Sequence, residues 1–150
     1  MEKTNAKVYF SIHGEEFPIE RISNGLQLQS THEHVKGEEI RRKPNSNVTY
    51  TKTTHWKDTA WEIGTEYEET HDLDEQINQV IKQLEGKEEI INQICKTYNL
   101  ECYFMLVIKI NEGNTPAISI NKDFIRMANN IGAEIHFDLY ANPYKSEFDE

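Results

Sequence analysis

Leu100-Glu101-Cys102-Tyr103-Phe104-Met105-Leu106-Val107-Ile108-Lys109-Ile110 decides how this chain is read, because nowhere else do apolar and β-favouring residues fill both alternating sets. Taken in steps of two, Cys102, Phe104, Leu106, Ile108 and Ile110 line one face, while Tyr103, Met105 and Val107 line the other until Lys109 breaks the pattern. The run is therefore expected to be an interior strand, covered at least in part on both faces.

Upstream of it, Lys7 to His13 alternates with Val8, Phe10 and Ile12 on one side, the pattern of a half-buried strand. Pro18 opens a short helix over 18–24, with Ile19, Ile22 and Leu26 at helical spacing and Gly25 available as a left-handed stop. Leu26 to Thr31 alternates again, and His32 to Ser46, with Gly37 and Pro44, reads as a long exposed loop. Asn47–Trp56 and Thr59–Glu68 read as a hairpin in which Trp61, Ile63 and Tyr67 share one parity. Asp72 followed by Glu75 matches a capping box, and two helices follow on either side of Gly86. Their stripes are Leu73, Ile77, Val80, Ile81 and Leu84, then Ile90, Ile91, Ile94, Cys95 and Tyr98.

Downstream, Asn121 is a good N-cap for a helix over 122–130 that turns Phe124, Ile125, Ala128 and Ile131 inward and stops at Gly132. Ala133 to Tyr140 closes the fold as a strand with Ile135, Phe137 and Leu139 on the core side, and residues 142–150 are expected to fray. The predicted order is β-α-β-β-β-α-α-β-α-β, an α+β fold with a mainly antiparallel sheet and its helices packed on one face. The other face then carries Tyr9, Ser11, His13, Tyr103, Met105, Val107, His136, Asp138 and Tyr140, a mixed aromatic and polar surface suited to contact with another molecule.

The length of 150 residues fits one domain spanning 1–150. Charged residues make up 28% of the chain, and its mean hydropathy is −0.74, yet the periodic apolar segments argue against disorder. No apolar run approaches the roughly 20 residues that span a bilayer, and Met1-Glu2-Lys3-Thr4-Asn5 lacks the apolar core of a secretory signal. A cytoplasmic protein without membrane contact is the expectation, with Cys95 and Cys102 as reduced thiols packed like small hydrophobes.

The net charge of −10 is uneven. Between Lys36 and Lys57 six basic residues outweigh Glu38 and Glu39, a local balance of +4 that leaves −14 on the rest. From Glu62 to Glu75 there are seven acids and no Lys or Arg, which repels phosphate and favours a basic partner, although such a run also serves as a solvated surface. Nucleic-acid binding is disfavoured, since phosphate neutralisation needs a basic footprint.

Catalytic and metal patterns are weak. His32 and His34 could point the same way from a strand, but Glu38, Glu39, His55 and His71 stand at no recognisable zinc spacing, so surface histidines are the plainer reading. Cys95 lies on an apolar helix stripe and is a poor nucleophile candidate, no carboxylate pair stands out, and no phosphate-binding glycine loop is present. Arg41-Arg42-Lys43 reads as a solvated basic loop that could clamp an acidic group. Trp56 and Trp61 flank the Lys57-Asp58 turn and are either core or interface anchors. No enzyme, cofactor or metal site is expected from these residues.

The opening Val8-Tyr9-Phe10-Ser11-Ile12-His13-Gly14 with Pro18, the Trp56–Glu69 segment leading into Leu73-Asp74, and the closing Ile131–Tyr140 resemble the domain-of-unknown-function family 4279. The resemblance spans nearly the whole chain and brings no catalytic residues. It implies the fold, and it implies that some relatives act as immunity proteins beside secreted toxins of the LXG type. The expected function is thus non-enzymatic binding, most concretely neutralisation of a basic toxin such as a nuclease. The expected contact is Trp56, Trp61, Glu62, Glu66, Glu68, Glu69 and Asp72. The alternative is a small-molecule or metal-responsive module on the open face around His13, Tyr103 and His136. A homo-oligomer stays open under either reading.

Overall fold

A computed structural model describes residues 3–40 and 54–142. The elements run β1 (Asn5–Gly14), α1 (Ile19–Leu26), β2 (His32–His34), β3 (Thr59–Gly64), β4 (Glu68–Glu69), α2 (Asp74–Leu84), α3 (Glu88–Tyr98), β5 (Glu101–Asn111), α4 (Lys122–Asn130) and β6 (Glu134–Asn142). The fold is α+β, in the predicted order of element types. The sheet order is β2-β3-β1-β5-β6, with β4 paired to the start of β1. All pairings are antiparallel except β5–β6, which is parallel because α4 makes the crossover between them. The apolar run over β5 is interior, as its two-sided pattern requires.

One side of the sheet holds the core. Val8, Phe10 and Ile12 of β1, Trp61 and Ile63 of β3, and Phe104, Leu106 and Ile108 of β5 are buried against Ile22, Leu26, Ile77, Leu84, Ile91 and Phe124 of the helices. Phe104 sits at the centre, its ring 5.0 Å from that of Phe10 and 4.9 Å from that of Phe124. Asn121 caps α4 as expected, its side chain accepting from the Phe124 amide at 2.9 Å. No helix among the described residues is long and apolar enough to cross a membrane.

Several expectations are corrected. The helix predicted over 18–24 runs to Leu26 and stops on Gln27 at φ 54°. Gly25 lies inside it, where an added Cβ would come within 3.2 Å of Ile94 Cδ1. Its role is the close approach of α1 to α3. The strand predicted over Leu26–Thr31 therefore forms later, at His32–His34, in what reads from sequence as loop. Further into that loop the chain also pairs, Ile40 N–H to Thr54 O and Trp56 N–H to Glu38 O, each at 2.9 Å. Asp72 makes no capping box with Glu75: its Oδ1 accepts from the Asp74 amide at 2.9 Å. The predicted strand segment 47–53, the Arg41-Arg42-Lys43 clamp and the tail over 143–150 lie outside the described residues.

The strand predicted over Thr59–Glu68 breaks in two. Gly64 lies opposite Tyr9, and the register to that point would bring Tyr67 opposite Ala6; Glu68 stands there instead. One residue is thus inserted between β3 and β4, as in a β-bulge, and parity inverts. Tyr67, which shares parity with Trp61 and Ile63 in sequence, lands on the opposite face. Gly64 is required at the break, since a Cβ there would stand 2.4 Å from both Tyr9 Cβ and the Val8 carbonyl oxygen. At the far edge Phe137 and Leu139 face the helix side as predicted, but are 47% and 57% exposed, and Ile125 of α4, predicted inward, is 53% exposed.

Candidate functional site

Strand pairing fixes which side chains share the face turned away from the helices. Tyr9 lies beside Met105, Ser11 beside Tyr103, Met105 beside His136 and Val107 beside Asp138, while Lys109 lies beside Tyr140. Tyr9, His13, Tyr103, Met105, His136, Asp138 and Tyr140 therefore occupy one face, as their alternation predicts. Among the described residues no helix covers it. The side chains instead cover one another: Ser11 and Val107 are buried, while Tyr9, His13, Tyr103 and Met105 are half-buried.

Tyr103 is the hub. Its ring centroid is 6.3 Å from Tyr9, 5.3 Å from His13 and 5.2 Å from His136, so three rings gather around it across β1, β5 and β6. Burial chiefly, then the neighbouring Tyr103 and the carboxylates of Glu62 and Asp138, push the Tyr9 hydroxyl well above its ordinary range, which keeps it a neutral donor. Tyr67 lies over the same face, with the Lys109 ammonium 4.1 Å and the Lys7 ammonium 4.8 Å from its ring centroid.

Toward β2 the face becomes a histidine–carboxylate chain. Asp58 stands between His34, at 3.1 Å, and His13, at 3.7 Å, and His34 Nδ1 is 3.3 Å from His32 Nε2. Trp56 stacks on His34 with centroids 3.7 Å apart and planes inclined by 5°. His32 and His34 do point the same way, but at each other. Among the described residues, no three His, Cys, Asp or Glu side chains are arranged to hold a metal ion. Glu62, opposite Ser11 on β1 and His32 on β2, has its carboxyl pushed up by burial, with His32 foremost among the neighbours that oppose the shift.

Two depressions flank the ring cluster. One, of about 420 Å³, is bordered by Lys7, Tyr9, His32, Glu62, Glu66 and Tyr67. The other, of about 520 Å³, opens among His13, Glu101, Tyr103, Met105, Glu134 and His136 and reaches the Cys95 and Cys102 thiols behind them. Both thiols are free. Their mutual hydrogen bond favours the charged form on Cys95 and disfavours it on Cys102, whose sulfur also lies 3.4 Å from the Ile131 carbonyl oxygen.

The predicted acidic contact is only partly assembled. Glu62 and Glu66 border the open face, and Glu69, paired to Asn5, lies on its side beside Lys3 at 3.5 Å. Glu68, paired to Ala6, points to the helix side, and exposed Asp72 is tied into the start of α2. Trp61 is corrected outright: it is fully buried, and its indole N–H donates to Ser23 Oγ at 2.9 Å, so it is core. Trp56 is half-buried over His34. Asp58 and Tyr67 were missed. The first reads as a hairpin turn residue, and the second changes face through an insertion that no residue type announces.

Fold and site together define a small open-faced α+β sandwich, helix-backed on one side and ring-lined on the other. The chain belongs to the family described as Domain of unknown function (DUF4279), whose model matches residues 2–142. No curated protein and no solved structure matches it.

Proposed function

We propose that this is a non-enzymatic binding protein that docks a basic protein partner on the ring-lined face, with Glu62, Glu66 and Glu69 along its border. The observation that carries the reading is the cluster of Tyr9, His13 and His136 around Tyr103 on a face without helices among the described residues, in a chain of net charge −10. Tyrosines held in place by their neighbours supply contact area at low entropic cost, and surrounding carboxylates speed encounter with a cation-rich surface. The most concrete form is a cytoplasmic immunity protein that neutralises a toxin encoded beside it, a role the family resemblance suggests. Co-expression with that toxin should restore growth, and the two should co-elute on size exclusion. Tyr103→Glu and the double change Glu62→Lys/Glu66→Lys should abolish both effects while the protein stays folded. Neither rescue nor a complex with the unmodified chain would overturn the proposal.

The 520 Å³ depression favours a second reading, a small-ligand module, in which a compound raises the melting temperature by mass action and Met105→Trp cancels the rise.

A further inference from the structure

We propose that β6 is a self-association edge, pairing antiparallel with β6 of a second copy about a two-fold axis at Phe137, so that two sheets join into one. The two edges of the sheet differ. β2 ends one side with three residues, whereas β6 presents nine, Glu134–Asn142, with no Lys or Pro among them and no strand on the outer side among the described residues. Long unprotected edges invite pairing. The helix-side row also runs uncovered off this edge: Phe137 lies beside Leu106 and Leu139 beside Ile108, yet Leu106 and Ile108 are 0% exposed while Phe137 and Leu139 are 47% and 57% exposed.

The occupant is named by self-complementarity. An axis at Phe137 sets His136 opposite Asp138 of the other copy, Glu134 opposite Tyr140, Ile135 opposite Leu139 and Phe137 opposite itself. Apolar residues thus meet on the helix side, and each imidazole meets a carboxylate on the other. An axis at Asp138 would set that carboxylate against its twin, and one at His136 would set Glu134 against Asp138. Only the Phe137 register among these three avoids like charges face to face. Each copy also holds its charged groups ready along the strand, Glu134 on His136 at 2.8 Å and Tyr140 on Asp138 at 3.0 Å. The two ring-lined faces would then lie side by side.

Sedimentation over a dilution series should show a reversible monomer–dimer equilibrium. His136→Glu should raise the dimer dissociation constant about ten- to a hundredfold, because both symmetric pairs then set two carboxylates face to face, and Asp138→Lys should raise it by less, through loss of the imidazole–carboxylate contact. The combined variant restores opposite charges in this register and should regain most of the affinity. Under mild oxidation Phe137→Cys should give a covalent dimer, since facing residues in an antiparallel pair lie about 4.5–5.5 Å apart at Cα, within disulfide reach. Leu139→Cys, which faces Ile135, should not, and the unmodified chain controls for Cys95 and Cys102. A monomer at every concentration, no recovery on combining the charge changes, or equal cross-linking at both positions would each overturn the proposal. Growth rescue by a strictly monomeric protein would sink the dimer while leaving the partner reading intact.

Discussion

Adjacent residues on β5 should differ sharply in what they contribute to stability, and Phe104 and Tyr103 make the comparison. Phe104 is fully buried between Phe10 and Phe124, where the sheet meets the crossover helix α4. Truncating such a ring removes its transfer free energy and leaves a cavity, so Phe104→Ala should cost about 3–5 kcal/mol, the two aromatic pairs included. In a chain of this size that is a fall in melting temperature of roughly 6–20 °C. Tyr103 is half-buried on the face that bears no helix among the described residues, and its neighbours can relax into solvent after truncation. Tyr103→Ala should therefore cost only about 1–2 kcal/mol. Urea unfolding followed by circular dichroism measures both, with Phe104→Leu at about 1–2 kcal/mol as the milder variant should Phe104→Ala fail to fold. Equal costs at the two positions, or a larger one at Tyr103, would refute the one-sided core and with it the exposed second face.

Trp61→Phe should lower stability by about 1–2 kcal/mol through loss of the indole bond to Ser23, yet leave partner binding unchanged; weakened binding in a pull-down with full stability would contradict its place in the core. Gly64→Ala should cost more than about 2 kcal/mol in thermal melts, because the new Cβ meets backbone and Cβ atoms of β1 rather than a movable side-chain tip. Glu62 carries a carboxyl raised in the fold above its ordinary value of 4.5, so the folded chain holds that proton longer than the unfolded one. Its contribution to stability is present below pH 4.5 and is lost as pH rises through the folded value. Glu62→Gln should accordingly be more stable than the unmodified chain at pH 7, and that advantage should vanish in melts below pH 4.5. Ellman's reagent should modify Cys95 first in the native state and Cys102 only on unfolding, since Cys95 is half-buried with the charged form favoured while Cys102 is buried with it disfavoured.

What the sequence discloses here follows from how far each signal reaches. Two-sided apolarity over Cys102–Ile110 and the Asn121 cap of α4 are local properties, legible because strand alternation and capping act within a few residues. The face holding Tyr9, Tyr103 and His136 was legible for the same reason: period two assigns sides wherever a strand is unbroken. It fails at Tyr67, where the inserted residue before β4 reverses the assignment and the cause, Gly64 crowded against Tyr9, lies across the sheet. Trp61 was equally beyond reach, because its place in the core rests on Ser23 of α1, 38 positions away. The Asp58 contacts with His13 and His34 likewise join three separate segments. Phe137 and Leu139 present the opposite case. Their apolar period is local and correctly read, but whether anything covers them is a property of the assembled edge, and that is why an apolar strand pattern at an uncovered margin points outward, to a second chain.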